Sequence, residues 1–270
     1  MTAGQNIEKY PQVWRRFSPR QTLLHYCWYL GAAFVLVWSI SKLDIPWFYF
    51  LDAHTQAKDL AVRMWPPDWA FVNQLIKPLI ETIHIATIGT FVTILIAFPV
   101  AFLAARNTTF NTLTWFVGRF ILVASRSVNT VVWGLLFVAI FGPGPIAGIW
   151  AIAFRSIGFM GKLIAEAIEE IDEGTVEAIE ATGASRLQVL WMGIVPQVLP
   201  VIYGTTVYRW DINIRESSVL GFVGAGGIGI LLYSSINQFM WQQVSVILLA
   251  VFGVVVASEF ISATVRRRIT

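Results

Sequence analysis

This 270-residue chain is 56% hydrophobic and only 13% charged, with a mean hydropathy of +0.66 and a net charge of +3. Soluble domains carry about 25% charged residues, so this composition has too little polar surface to cover a water-soluble globule, and it excludes a disordered chain as well. Twelve Trp and 19 Phe suit the aromatic belts of a membrane protein, and six spans of roughly 20 residues would fit within the length.

In chain order, residues 1–20 are polar and carry Lys9, Arg15, Arg16 and Arg20. The apolar run 22–40 follows. No small-residue cleavage site comes after it but Lys42, Asp44, Pro46 and Trp47, so it is expected to be a retained signal-anchor helix. Residues 44–74, with Trp47, Trp65, Pro66, Pro67 and Trp69, are expected to form an exposed segment with an interfacial aromatic cluster. A second span is expected over 78–105, broken near Pro99, and a third over 113–141. Gly142-Pro143-Gly144-Pro145 marks a sharp turn. A fourth span follows over 146–164. Residues 166–196 then hold seven acids (Glu166, Glu169, Glu170, Asp172, Glu173, Glu177 and Glu180) and are expected to form soluble helices. A fifth span is expected over 197–214 and a last one over 244–262, ending at Arg266-Arg267-Arg268. Between these, 219–236 is either a re-entrant hairpin or a seventh helix.

Backbone groups in hydrocarbon must be satisfied within the segment, so the spans are helices. The expected fold is an all-α polytopic membrane protein of about six transmembrane helices. Basic residues flank the first and last spans, which places both termini in the cytoplasm. Four spans precede the acidic 166–196 segment, which puts it on the same side. The chain divides into 1–75 (N-terminal segment, first span and external segment), 76–265 (the main transmembrane domain) and the basic tail 266–270.

Cys27 is the sole cysteine, so neither an intrachain disulfide nor a Cys-based metal cluster is available. His25, His54 and His84 show no ligand spacing. There is no basic stripe for nucleic acid, no G-x-x-x-x-G-K-[ST] loop for nucleotide and no H-E-x-x-H or G-x-S-x-G motif for catalysis. No catalytic residue is assigned. Gly224, Gly226 and Gly229 match G-x-G-x-x-G, but no βαβ unit surrounds them. With Gly227 they suggest close-packed backbone at a helix break, a hinge, or an anion-facing nest.

The cytoplasmic segment reads Glu177-Ala178-Ile179-Glu180-Ala181-Thr182-Gly183-Ala184-Ser185, and Pro196 follows Gly183 by 13 residues. This resembles the Glu-Ala-Ala loop of the membrane subunits of type I ABC importers. Ile179 departs from the third small residue, and Ile194-Val195 departs from the usual order before the proline. Physically, Gly183 permits a turn between two short helices, and Pro196 can open the next helix at its first turn. Val195-Pro196-Gln197-Val198-Leu199-Pro200, Tyr208-Arg209, Asn213 and 223–229 are similar to the phosphonate/phosphite branch of that family, as are Arg126, Asn129 and the 142–145 turn.

The resemblance implies a permease subunit rather than an enzyme, located in a prokaryotic cytoplasmic membrane. Glu177, Ala178, Gly183, Ala184 and Pro196 would dock an ATP-binding subunit. Two copies of the chain, two ATP-binding subunits and an external substrate-binding protein would make up the transporter. No cofactor is expected on this chain, and ATP and Mg²⁺ would sit on the partner subunits. The implied cargo is phosphonate or a related phosphorus oxyanion. A permease for phosphate or an amino acid, and an ion-coupled secondary transporter, are the alternatives.

Between 82 and 165 there is no Asp or Glu, yet Arg126 and Arg155 fall within apolar runs. An arginine at the bilayer centre costs about 2.5–3.5 kcal/mol on insertion scales and usually faces a water-filled cavity or a partner. Arg126, Asn129 and Thr130 would share one helix face, and Arg209 and Asn213 another. Guanidinium forks match oxyanion geometry, so Arg126, Asn129, Arg155, Arg209, Asn213 and Arg215 are candidates to line or gate a pathway. The competing expectation is that Asp211 or Glu216 pairs with these arginines across helices. Glu81 and His84, one turn apart, suggest an interfacial pair or, less simply, a proton relay. Glu259 can reach Arg266 or lipid headgroups.

Overall fold

The computed structural model describes residues 19–43 and 46–269; Lys9, Arg15 and Arg16, expected before the first span, lie outside the described residues, as do Asp44 and Thr270. The chain falls into two units, residues 1–59 and 60–270. In the first, α1 (Pro19–Lys42) exposes Trp28, Phe34, Leu36 and Trp38 around its circumference, and none of its apolar window is buried. A helix that is apolar all round and uncovered by protein belongs in lipid. The next helix, α2 (Trp47–Met64), begins with exposed Trp47, Phe48, Tyr49 and Phe50 and turns polar from Asp52 on, as an interfacial segment should.

In the second unit Asp68 caps a 3₁₀ turn (Trp69–Phe71) that leads into α3 (Val72–Ala104). The break expected at Pro99 is absent, because α3 runs through both Pro78 and Pro99. Transmembrane helices tolerate proline inside a span, and neither ring interrupts the helical course of α3. The expected third span, in contrast, is two helices. α4 (Thr112–Ser127) and α5 (Thr130–Phe141) meet at 95°. Val128 is extended, and Asn129 spends its side chain as the N-cap of α5, accepting from the Val131 amide at 3.0 Å. Arg126 and Asn129 therefore do not share a helix face.

After the Gly-Pro turn, α6 (Pro145–Glu169) forms the centre of the unit and packs against α3, α4, α5 and α9. The acidic segment holds α7 (Glu173–Glu180) and α8 (Arg186–Val189). A π turn (Leu190–Ile194) then joins α8 to α9 (Val195–Leu220), so helical backbone is continuous across Pro196. Pro196 stands in the first turn of α9, as expected, although the π turn carries helical backbone into it from α8. The widened turn, closed by the Val195 amide on the Leu190 carbonyl, accommodates a ring that has no N–H to donate. A 3₁₀ turn (Gly221–Val223) and α10 (Ile228–Asn237) follow. With 10 residues α10 is too short to cross a bilayer, which decides against a seventh span. The last helix, α11 (Trp241–Ile269), carries Arg266, Arg267 and Arg268 in its final turn. Five helices are long and apolar enough to span, or six if α4 and α5 count as one broken span.

The core depends on small residues of α6, which let helix backbones meet where lipid offers no hydrophobic drive for association. A Cβ on Gly158 would lie 2.3 Å from the Leu122 carbonyl oxygen of α4, and one on Gly148 would lie 2.4 Å from that of Ala225. At one end of α6, Met160, Ile164 and Ile168 pack with Ala97, Ala101, Leu122 and Val198; at the other, Ala151 and Ile152 pack with Ile85, Phe137 and Leu220.

Gly158→Ala should therefore destabilise the protein by about 1–3 kcal/mol through overpacking. Gly204, also helical, has nothing within 4 Å of an added Cβ, so Gly204→Ala should be neutral or stabilising by up to about 1 kcal/mol. Thermal unfolding in detergent checks the pair, and a Gly158→Ala protein as stable as wild type would contradict the α4–α6 contact.

Candidate functional site

A polar layer crosses the bundle between the two apolar clusters, roughly halfway along α6. Arg209 on α9 donates from Nε to the Ser156 hydroxyl at 2.9 Å. Ser156 donates to Asn213 Oδ1 at 3.0 Å, and Asn213 Nδ2 donates to the Thr90 hydroxyl at 2.8 Å. Thr90 ends the relay by donating to the Ala86 carbonyl oxygen at 2.7 Å. Ser156 and Asn213 are fully buried, and Thr90 nearly so. The four bonds run in one direction, and such bonds reinforce one another where water is excluded.

The Arg209 guanidinium also pairs with Glu216, 3.1 Å away, and lies over the Phe159 ring at 5.5 Å. Glu216 accepts in addition from the Thr130 hydroxyl at 2.5 Å, which joins α9 to the first residue of α5. Arg215 pairs with Asp211, which accepts from the Ser258 hydroxyl of α11 at 2.6 Å. Both ion pairs thus run along α9, not across helices as the competing expectation had it. Helical spacing alone put each carboxylate one or two turns from its guanidinium.

Of the candidate pathway residues, the structure brings together Arg209 and Asn213. Arg155, next to Ser156, is near enough for its charge to act on Arg209. Arg126 lies at the same depth, since its backbone abuts Gly158, but its exposed side chain lines a small cavity of ≈80 Å³ with Arg119, Lys162 and Glu166. Neither Arg126 nor Arg155 forms an ion pair among the described residues. Asn129 is exposed, and Arg215 stands further along α9. Sequence reasoning missed Ser156, Thr90 and Ser258. The available signal was the recurrence of Thr87, Thr90 and Thr93 at one-turn intervals in an apolar run: Thr87 accepts from Trp210 Nε1 at 3.0 Å, and Thr90 takes Asn213.

Glu81 turns away from His84, which is exposed, so they form no interfacial pair. Its carboxylate accepts from the Gly227 amide at 2.9 Å, and Thr82 Oγ1 accepts from the Ile228 amide at 2.8 Å. The two close the N-terminus of α10, where partial positive charge favours a carboxylate. Gly224, Gly226 and Gly227 have positive φ. A Cβ on Gly226 or Gly227 would strike Glu81 or Thr82, and one on Gly229 would lie 2.3 Å from the Ser218 carbonyl oxygen. Glu259 stays exposed.

The acidic loop is built to present one face. Asp172 caps α7 through the Gly174 amide, and Ser185 with Gln188 forms a capping box on α8. Gly183, at φ +83°, makes the turn between them. Val176 and Ile179 face inward onto Gly193, where an added Cβ would come within 3.3 Å of Ile179 Cδ1. Ile179, the departure from the family pattern, is thus the anchor of the loop. Glu177, Ala178 and Gly183 point outward, Ala184 is half-buried and Pro196 is exposed. A groove of ≈530 Å³ opens beside them, lined in part by Phe110, Val176, Glu180, Arg186 and Leu187. The α6 end of the loop is fixed by Glu169, which accepts from the Arg106 amide at 2.9 Å and pairs with Arg119 at 3.0 Å. Both arginines lie over the Trp115 ring.

Residues 97–270 match the family described as binding-protein-dependent transport system inner membrane component. The chain is 43% identical over 205 residues to the putative phosphite transport system permease protein HtxC of Stutzerimonas stutzeri, covering 76% of this chain and 73% of that one. It is 38% identical over 237 residues to the phosphite transport system permease protein PtxC of the same organism, covering 88% and 86%. It is 36% identical to the phosphate-import permease protein PhnE of Mycolicibacterium smegmatis over 88% of this chain and 44% of that one. The methionine ABC transporter MetNI, solved in inward-facing conformations, shares the fold at a TM-score of 0.65 and 21% identity, covering 75% of this chain and 99% of that one. An all-helical bundle with a presented acidic loop, a family match over most of its length and relatives of this closeness together assign the chain: it belongs to the binding-protein-dependent transport inner membrane component family and is a permease subunit of an ABC importer.

Proposed function

We propose that this chain forms half of the pathway by which an ATP-driven importer carries phosphite, phosphonate or a related phosphorus oxyanion across a prokaryotic cytoplasmic membrane. The observation that carries the reading is the charge balance at mid-span. Arg209 and Arg215 are paired with Glu216 and Asp211, whereas Arg155 and Arg126 form no ion pair among the described residues, the one acid in the Arg126 cavity, Glu166, being paired with Lys162. Uncompensated guanidinium at that depth is costly, and an anion in transit is what would offset it. The relatives named for phosphite support the same class of cargo.

Two copies of the chain enclose the pathway, and an external binding protein selects and delivers the solute. Two separate ATP-binding subunits hold ATP and Mg²⁺, and they dock on Glu177, Ala178, Gly183, Ala184 and the flank of Pro196. Anchored through Ile179 on Gly193 and through Glu169 on Arg119, the loop transmits their motion to α6 and α9 as a rigid lever. Residues 76–265 act as the transporting domain. Gly224, whose added Cβ would meet nothing nearer than 3.6 Å, is the freest of the four glycines and serves as the hinge ahead of α10.

In reconstituted vesicles, Arg126→Ala and Arg209→Ala should each lower phosphite uptake by tenfold or more, about 1.4 kcal/mol of lost stabilisation. Normal uptake by both would remove the pathway assignment. Separately, Gly183→Val places a β-branched residue at positive φ and should cost about 1–3 kcal/mol of local strain. Co-purification of the ATP-binding subunits should fall while the permease alone keeps its thermal stability. Intact assembly and uptake in that variant would show that the loop is not the docking element.

A further inference from the structure

Glu216 occupies an unusual position in the polar layer. It receives the buried Arg209 guanidinium from its own helix through both carboxylate oxygens, at 3.1 and 3.3 Å, and the Thr130 hydroxyl from α5. Thr130 is the first residue of α5, directly after the 95° elbow. At that elbow the helical ladder is interrupted by extended Val128, and side-chain bonds take its place. The Ser125 hydroxyl fixes the end of α4 to α6, donating to the Phe154 carbonyl oxygen and accepting from the Gly158 amide, and Trp133 Nε1 of α5 donates to the Ser125 carbonyl oxygen at 3.3 Å. The bond to Glu216 is the one that ties the elbow to α9.

Glu216 is also the more accessible partner of its ion pair. Its side chain is 24% exposed and that of Arg209 only 5%. Arg209 commits Nε to Ser156 and Nη2 to Glu216; among the described residues Nη1 makes no hydrogen bond, and it is not sealed in the interior. Arg155 contributes a second positive charge nearby. A carboxylate and a phosphorus oxyanion present the same feature to a guanidinium, two oxygens at fork spacing, so they compete for one place.

We propose that Glu216 is a resident stand-in for the transported anion: an oxyanion reaching Arg209 displaces it, and Glu216 in turn lets go of Thr130 and frees the elbow between α4 and α5. This rests on the oxyanion reading above. Cargo occupancy at mid-span is thereby coupled to the shape of a broken helix, with Thr130 as the positioning residue and Glu216 as the competitor that sets how readily the anion binds. Breaking a buried ion pair by removing one partner is costly, so the pair would open only when another anion takes the vacated place.

The test uses the permease assembled with its ATP-binding subunits in nanodiscs, without binding protein, and phosphite as the probe. Glu216→Gln keeps the shape of the side chain and an acceptor for Thr130 but removes the competing charge. Calorimetric titration should show phosphite binding tighter by on the order of tenfold, the scale of one charge-assisted hydrogen bond. In a Cys27→Ser background, spin labels at exposed Phe120 of α4 and Leu135 of α5 report the elbow. Phosphite should shift their distance distribution in the otherwise wild-type protein. Thr130→Val, which is isosteric, should show the shifted distribution without phosphite and still bind the anion.

Phosphite affinity unchanged in Glu216→Gln, or an elbow distance indifferent to phosphite, would overturn the proposal while wild-type binding left the oxyanion reading standing. A wild-type complex that neither binds nor transports phosphite would overturn both.

Discussion

Asn213 makes its bonds at a depth where no water competes for them. Its carbonyl oxygen takes the proton of Ser156 on α6, and its amide gives one to Thr90 on α3. Loss of either would leave a buried polar group unsatisfied, at a cost of about 1–3 kcal/mol. Three helices are therefore held in a single register by one side chain, more strictly than apolar packing would hold them, since leucine slides against leucine with little penalty. Arg209 can sit almost fully buried because this frame supplies Ser156 on one side of its guanidinium and Glu216 on the other.

That frame also sets the distribution of charge. The small residues of α6 bring α4 close enough that Arg126 reaches the depth of Arg155 and Ser156. Arg155 and Arg209 bring positive charge from α6 and α9 together in the middle of the bundle, while Arg126 of α4 stands at the same depth over its own cavity with Glu166. The elbow between α4 and α5 lies at the edge of the same layer, tied to it through Thr130.

At the other end of α6 the chemistry is of a different kind. The loop carrying α7 and α8 is capped at each helix start, turned at Gly183 and pinned by Ile179, Val176 and Glu169. Pinning one face leaves the opposite face to a partner. The continuous helical backbone from Arg186 to Val223 then joins this loop to Arg209 and Asn213 without a flexible joint, apart from the π turn at Leu190–Ile194. Force applied to the loop has a stiff route to the polar layer.

Sequence alone determined the helical membrane class, the approximate place of most spans, and the loop. These follow from local quantities: apolar runs of sufficient length, seven acids in a stretch between them, and a Gly-to-Pro spacing along one chain. It also singled out the arginines within the spans, because charge within an apolar run is conspicuous. Tertiary structure decided how they are used. Nothing local distinguishes an Asn that ends one helix and caps the next from an Asn in the middle of a span, so the elbow at Asn129 was not legible. Pro99 misled in the opposite direction, since its effect depends on what surrounds the freed carbonyl. Ser156 and Asn213 are 57 residues apart, and Thr130 and Glu216 are 86. Hydrogen bonds of that sequence separation exist only once helix packing has brought the partners to the same depth, and in this bundle the small residues of α6 determine that depth.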